Sequence, residues 1–267
     1  MYRAYWNMEY NPFSKEIGAN KMYKTEDFNE AITRLQFLEK TRGIGVFTGI
    51  PGSGKTYTIK YYLENLNAGL YKIAYLQLTS LSVIDFYRAL CISLNIEPGS
   101  SKARMFFEIQ ENIKKIVNEQ KKQIIIAIDE VQLLKADVLT DLKLLLNFEM
   151  DSKNMATLIL IGLPVVNHIL SRSINEDLNQ RISMNYEFKG LTKEDLRGYI
   201  KDRLKLVKVD EGIITDNAIE TLPNLANGSI RKLNVIIERA LILGAIEKVE
   251  KIDNELIMKA VNDISLV

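Results

Sequence analysis

The chain has 267 residues and a net charge of +1, with 47% apolar and 26% charged residues. These values are typical of a soluble globular protein with one large domain or a large and a small one, and they exclude a global basic field for nucleic acid. One cysteine, Cys91, and one histidine, His168, exclude a disulfide within the chain and disfavour zinc chemistry, and neither a signal peptide nor a membrane-spanning run is expected.

The predicted elements alternate between helices and short apolar strands over the first two thirds of the chain. In chain order they are a helix at 27–41, a strand at 44–48, a helix from residue 55, a strand at 72–78, helices at 82–96 and 102–120, a strand at 123–130, a helix from about 136 to 148, a strand at 156–162, two helical stretches, and a last strand within 185–191. Cys91 lies in the helix at 82–96, which Ser80 or Ser82 would cap, and its apolar neighbours predict a buried thiol.

The strand at 123–130, "QIIIAIDE", gives the clearest strand pattern in the chain. Its continuous apolar run is typical of a strand buried on both faces, and the alternation with helices predicts a parallel α/β sheet. From Thr192 onward the pattern becomes all-helical, with about four helices. We therefore expect an α/β domain over residues 1–190 and a helical domain over 191–267.

The stretch "GIPGSGKT" matches the phosphate-binding pattern G-x-x-x-x-G-K-[ST], between a predicted buried strand and a predicted helix. Backbone N–H groups of such a loop point at a phosphate chain, and the positive end of the following helix adds to the attraction. We expect ATP to contact a continuous run of residues, in which Lys55 reaches the β- and γ-phosphates and Thr56 holds Mg²⁺. The run is Gly49, Ile50, Pro51, Gly52, Ser53, Gly54, Lys55, Thr56 and Tyr57.

Two carboxylates end the strand at 123–130. Asp129 would be costly at the end of a buried strand unless a metal or a partner satisfies it, so a Mg²⁺ role is predicted beside the phosphate loop. Glu130 can polarise a water molecule for attack on the γ-phosphate. Two solvated acids at a strand end would be the ordinary interpretation if the phosphate loop were absent.

Two arginines stand at places where a phosphate contact would explain them. Arg181 precedes the last predicted strand, and it is either a surface ion-pair partner or an arginine finger that reaches a neighbouring subunit. Arg231 follows "NGS" in the first turn of a predicted helix, where cations are disfavoured unless a phosphate or solvent lies opposite.

Together these motifs resemble an AAA+ ATPase, with "IIIAIDE" as Walker B, Arg181 as the finger and "GSIR" as a sensor 2 like that of the initiator clade. The opening "YWNMEYNPFSKEI" and the later "LIGLPVVNHIL" are similar to ExeA-type ATPases and to the TniB, TnsC and IstB group of transposition ATPases. The likeness runs from about residue 2 to 262. It implies a three-layer parallel AAA+ sheet with a C-terminal helical lid. One departure is that the strand at 156–162 ends without the polar sensor 1 residue, so hydrolysis is expected to be slow.

The resemblance implies a switch in which ATP drives assembly into rings or helical filaments on duplex DNA, without sequence preference, and hydrolysis dismantles them. The assembly would recruit a DDE-type transposase and select a target site in the bacterial cytoplasm, with no membrane partner. Candidate phosphate contacts on DNA are Ser100, Ser101, Lys102 and Arg104, for each of which a solvated helix start is the alternative.

The aromatic residues near the start of the chain allow two interpretations. Core packing is expected for Tyr5, Trp6, Tyr10 and Phe13, and a secondary hypothesis places the turn from Asn11 to Phe13 near the adenine.

Two other functions compete with transposition. One is an AAA+ adaptor that acts on a protein partner, such as a helicase loader or an ExeA-like secretion ATPase, which need not bind DNA. ExeA proteins carry a membrane segment and a peptidoglycan-binding part after the ATPase, and because neither is found in this sequence a secretion role is not the leading expectation. The other is a small P-loop kinase, which Arg181, Arg231 and the size of the helical lid disfavour.

Overall fold

The computed structural model describes residues 2–14, 23–77, 81–148 and 154–265. Leu78, the last residue of one predicted strand, and Ser80, one of two proposed helix caps, lie outside these ranges; Ser82 caps the helix that follows. No helix within the described ranges has both the length and the apolar character needed to cross a membrane.

Five strands and the helices between them form the α/β part of the chain. The strands are β1 (Ile44–Gly49), β2 (Tyr71–Gln77), β3 (Gln123–Asp129), β4 (Ala156–Gly162) and β5 (Ile182–Phe188). The α-helices before and between them are α1 (Tyr2–Tyr5), α2 (Glu26–Thr41), α3 (Lys55–Glu64), α4 (Val83–Ser93), α5 (Lys102–Asn118), α6 (Ala136–Leu145), α7 (Val165–Leu170) and α8 (Glu176–Asn179). Four α-helices follow β5 in the described part: α9 (Lys193–Leu206), α10 (Asp216–Ala226), α11 (Ile230–Glu247) and α12 (Asn254–Ser265).

All strand pairs in the sheet are parallel, in the order β2-β3-β4-β1-β5. The central strands β1, β3 and β4 are buried along almost their whole length, as their continuous apolar runs predict. Alternate side chains enter two cores: one contains residues such as Ile126 and Leu158 with α4 to α6, and the other contains Phe47 and Ile125 with α2 and α3. The predicted three-layer parallel sheet is therefore confirmed.

The chain divides into two compact units. The α/β unit comprises residues 30–49 and 55–188, and the helical unit comprises residues 1–29, 50–54 and 189–267. The division near residue 189 lies close to the boundary predicted between 190 and 191. The first 29 residues, however, group with the helical unit and not with the α/β unit. The proposed domain boundaries remain a prediction.

The start of the chain groups with the helical unit because its side chains pack onto α9 and α11. Trp6 is 6% exposed and donates its indole N–H to the Leu241 carbonyl at 2.8 Å, and Phe13 is 2% exposed, with its ring edge-on to Tyr199. Core packing is thus confirmed for these two rings. Tyr10 is half-buried against the same core, whereas Tyr5 is 40% exposed.

Asn11 fixes the turn that precedes Phe13. Its side-chain amide donates to Glu238 Oε1 at 2.7 Å, and its Oδ1 accepts the Phe13 N–H at 2.9 Å. Both groups are therefore engaged within the helical unit. The proposed contact of Asn11 and Phe13 with adenine remains a prediction.

Candidate functional site

The loop from residue 50 to 54 connects the end of β1 to the start of α3. Gly52 has φ +81° and Gly54 has φ +94°, a backbone region that residues with a Cβ rarely adopt. The Ser53 side chain is 4% exposed, and its Oγ finds no hydrogen-bond partner in the described part of the chain. A buried polar atom without a partner is costly, and a phosphate oxygen would satisfy it. The loop therefore fits the phosphate chain of a nucleotide.

The first turn of α3 carries the side chains expected to meet the phosphates and the metal. Lys55 begins the helix and is 6% exposed, Thr56 is half-buried, and Tyr57 is 37% exposed. A buried cation at a helix N-terminus opposes the helix dipole, so an anion at this place would be favourable.

In the helical unit, the N-terminus of α11 contacts the loop directly. Ser229 Oγ donates to the Pro51 carbonyl at 2.9 Å, and the Ile230 N–H donates to the Gly52 carbonyl at 2.9 Å. A Cβ on Gly52 would lie 2.4 Å from Ser229 Oγ and 2.8 Å from the Arg231 Cβ. Gly52 is therefore required by its backbone angle and also by the close approach of α11. The Arg231 side chain, which is exposed, begins directly beside the phosphate loop.

The end of β3 presents Asp129 as a buried and partly satisfied carboxylate. Asp129 is 1% exposed, and it accepts the Tyr75 hydroxyl at 2.9 Å and the Glu130 N–H at 2.8 Å. Burial of Tyr75 and the negative charge of Asp129 raise the pKa of the Tyr75 phenol far above its ordinary value. The phenol thus stays a hydrogen-bond donor to the carboxylate. Carboxylate and hydroxyl oxygens are the ligands that Mg²⁺ prefers, so Asp129 and Thr56 are chemically suited to hold it.

Glu130 follows β3 in a left-handed conformation, with φ 58° and ψ 40°. Its carboxylate accepts the side-chain N–H of Gln132 at 2.5 Å, and Gln132 Oε1 accepts the Leu163 N–H at 3.1 Å. Gln132 therefore joins the end of β3 to the end of β4. The sequence interpretation missed this residue, although a polar side chain two positions after Glu130 was a usable signal.

The end of β4 carries no polar side chain of its own, as expected from the sequence. A neighbouring helix brings one close, because Asn167 on α7 donates to Thr48 Oγ1 at 3.4 Å and accepts from Asn185 at 3.1 Å. Thr48 is fully buried and is the register partner of Gly162. The amides of Gln132 and Asn167 thus lie near the end of β4, where AAA+ proteins usually carry the sensor 1 side chain.

Arg181 lies between α8 and β5 and is half-buried. Its backbone N–H donates to the Leu178 carbonyl at 3.1 Å. The ion pair with Lys143 lowers the pKa of the nearby Asp177 carboxyl, and the charge of Arg181 lowers it further. The finger role of Arg181 remains a prediction.

Three of the four residues proposed for DNA contact have side-chain partners within the α/β unit. Ser101 caps α5 by accepting the Arg104 N–H at 3.3 Å, Lys102 pairs with Asp141 at 2.7 Å, and the Arg104 guanidinium pairs with Glu108 at 2.7 Å. Ser100 is exposed. Three of the four polar groups therefore have a role in the fold without DNA, and the DNA contacts remain a prediction.

Comparison with known proteins identifies the domain. Residues 38–170 match the family model described as an AAA domain. General secretion pathway protein A of Aeromonas hydrophila is 30% identical over 245 residues, which are 91% of this chain and 44% of that protein. The chain thus spans less than half the length of this curated relative.

Solved structures share the fold at lower identity. Cdc6p from Pyrobaculum aerophilum matches with a TM-score of 0.68 and 17% identity, and the match covers 90% of this chain and 67% of the Cdc6p chain. A chain of Drosophila ORC bound to DNA matches with a TM-score of 0.70 and 15% identity, covering 95% of this chain and 64% of its own.

The parallel sheet, the phosphate loop and the match of residues 38–170 to an AAA domain support an AAA+ ATPase. Within this class, the similarity to ExeA noted in the sequence agrees with its 30% identity to General secretion pathway protein A. The transposition clade expected from the sequence is not confirmed by these matches.

Proposed function

We propose that the chain is an ATP-driven module that acts on a protein partner, as an ExeA-like ATPase or a loader would. The observation that carries this proposal is the 30% identity over 91% of the chain to a general secretion pathway protein. This identity supports the adaptor hypothesis more strongly than the transposition hypothesis, which the sequence motifs favour. A bacterial cytoplasmic location is part of the same proposal.

The proposed chemistry is ATP hydrolysis with water as the acceptor. N–H groups of the loop at 50–54 and the ammonium of Lys55 bind the phosphate chain, and Thr56 and Asp129 hold Mg²⁺. When bound, Mg²⁺ neutralises charge on the phosphate oxygens. Glu130 accepts a proton from the attacking water, which explains why a second carboxylate directly follows Asp129.

The helical unit reports the state of the nucleotide through α11. Ser229 and Ile230 form hydrogen bonds to the loop, and the Arg231 side chain begins beside Gly52. A change in the conformation of the loop is therefore transmitted to the start of α11. Arg231 serves as the sensor 2 cation toward the γ-phosphate. Arg181 completes the site of a neighbouring subunit, so assembly and hydrolysis are coupled.

A DNA-dependent function is the second candidate. The observation in its favour is the similar fold of Drosophila ORC, which was solved bound to DNA. The ion pairs of Lys102 with Asp141 and of Arg104 with Glu108 argue against free cations at the start of α5. A DDE-type transposase partner rests on the sequence resemblance alone.

Binding to random-sequence duplex DNA separates the two candidates. Fluorescence anisotropy of a labelled duplex is measured at low and high salt, with a non-hydrolysable ATP analogue and with ADP, while light scattering follows particle size. The control is Lys55→Ala, a variant expected to be defective in ATP binding. We expect assembly with the analogue in the absence of DNA, and no tight DNA binding in either state. Tight, salt-sensitive binding with the analogue alone would contradict the adaptor proposal and support the DNA-dependent function.

A further inference from the structure

Gln132 lies between the carboxylate proposed to activate water and the end of the neighbouring strand. We propose that Gln132 is a positioning residue for Glu130: its amide fixes the carboxylate and anchors it to the backbone at the end of β4. This inference rests on the proposed role of Glu130 as the acceptor of the water proton. Gln132 itself would touch neither the nucleotide nor the water.

The chemistry of the two contacts determines the orientation of the amide. An ionised carboxylate only accepts hydrogen bonds and a backbone N–H only donates them. The amide nitrogen of Gln132 must therefore face Glu130, at 2.5 Å, and the amide oxygen must face the Leu163 N–H, at 3.1 Å. A flipped amide would break both bonds, so a single rotamer is favoured.

The backbone around Gln132 leaves room for this rotamer. A Cβ on Gly162 would lie 2.6 Å from Gln132 Oε1, closer than real Cβ contacts allow. Gln132 belongs to a short 3₁₀ helix, Val131–Leu133, that directly follows Glu130. The glycine at the end of β4 and the turn after β3 thus together accommodate the amide.

The arrangement leaves one carboxylate oxygen of Glu130 available for water. Oε2 accepts the charge-assisted bond from Gln132, and the described residues give Oε1 no hydrogen bond. The left-handed backbone fixes the Cα of Glu130, but its side chain would still rotate without the amide. A general base must be held within hydrogen-bond reach of the proton it accepts. Loss of this restraint should therefore lower the rate of the chemical step, with a smaller effect on the affinity for nucleotide.

The same contact addresses the missing sensor 1 residue. β4 ends at Gly162 and is followed by Leu163, and neither residue offers a polar side chain to the site. Gln132, in the 3₁₀ helix that follows β3, reaches that strand end and accepts the backbone N–H of Leu163 through its Oε1. Glu130 is thereby connected to β4 through a side chain that the Walker B segment itself supplies.

The test compares Gln132→Met, which keeps the length of the side chain without the amide, with Gln132→Ala. The matched control is Gln110→Ala, since the Gln110 amide bonds to the Leu145 carbonyl at 3.3 Å, away from Glu130. Single-turnover hydrolysis and binding of a fluorescent ATP analogue are measured for each variant. We expect both Gln132 variants to hydrolyse about ten- to a hundredfold more slowly with unchanged nucleotide affinity. The control should keep the wild-type rate.

Two further readouts distinguish positioning from a general structural role. In the Glu130→Gln background, Gln132→Met should cause no additional loss of rate, because the base to be positioned is absent. Amide hydrogen exchange of the peptide that contains Leu163 should be faster in both Gln132 variants, with or without nucleotide.

An equal loss of rate in the Glu130→Gln background, or a loss of nucleotide affinity as large as the loss of rate, would overturn the inference. Unchanged exchange at Leu163 would also overturn it. Absence of ATP hydrolysis by the wild-type protein would instead refute the proposed function, whatever the exchange result.

Discussion

Lys55 shows at the scale of a single residue why the loop calls for an anion. Lys55 occupies the first position of α3 and is 6% exposed. Burial and the helix dipole both disfavour a cation there, and a phosphate chain offsets both effects.

We expect Lys55→Ala to weaken ATP binding by at least about ten- to a hundredfold, since hydrogen bonds to charged groups contribute about 1.5–3 kcal/mol. Lys60→Ala is the control, because Lys60 is exposed on the same helix and pairs with Glu64 at 3.8 Å. Titration with a fluorescent ATP analogue measures both. Equal affinities of Lys55→Ala and the wild type would refute the phosphate-loop assignment.

The site residues that belong to one local motif could be predicted from the sequence. Contacts that depend on the order of the strands in the sheet could not. The phosphate loop and the pair Asp129 and Glu130 follow from a strand and the turn after it. Cys91 is confirmed as fully buried, and burial raises the pKa of its thiol to about 11. The contact of Gln132 with Leu163 depends on β4 lying beside β3, which no local pattern specifies.

Among the secondary-structure elements, α11 is the longest described helix of the helical unit, and its N-terminus contacts the loop. Ser229 is its N-cap, accepting the Lys232 N–H at 3.3 Å, and the same hydroxyl donates to the Pro51 carbonyl at 2.9 Å. Thr215 caps α10 in the same way, through the Ala218 N–H at 3.4 Å.

Each cap substitution, Ser229→Ala and Thr215→Ala, should lower the free energy of unfolding by about 1 kcal/mol. Only Ser229→Ala should also change nucleotide affinity, because only Ser229 contacts the loop. Denaturant unfolding and nucleotide titration measure the two effects. Identical affinities in both variants would show that the contact of α11 with the loop does not influence nucleotide binding.

The pattern of strands and helices was predictable because continuous apolar runs mark the buried strands of a parallel sheet. The ends of helices were less predictable. For example, α6 ends at Leu145, whereas the sequence predicts a helix that continues to residue 148. The sequence suggests DNA contacts at the start of α5. In the structure, Ser101 caps this helix and Lys102 pairs with Asp141. Only the second of these contacts is long-range, so the cap could have been predicted.

For the whole molecule, the proposed finger role of Arg181 requires neighbouring subunits to share a site. Arg181→Ala should bind nucleotide like the wild type but lose about 10³- to 10⁵-fold in assembly-dependent hydrolysis. The control is Arg172→Ala, because Arg172 is an exposed arginine that also precedes β5. Hydrolysis is measured at protein concentrations below and above assembly. An assembled Arg181→Ala protein with wild-type turnover would place the finger elsewhere.

The proposed mechanism has the chain cleave ATP with Glu130 as the general base. The most direct measurement is single-turnover hydrolysis by Glu130→Gln beside its binding of ATP, with Glu119→Gln, at the exposed end of α5, as the control. If Glu130 is the base, Glu130→Gln should bind ATP with unchanged affinity and hydrolyse it at least about a hundredfold more slowly, with a wild-type rate in the control. Hydrolysis by Glu130→Gln at the wild-type rate would contradict it.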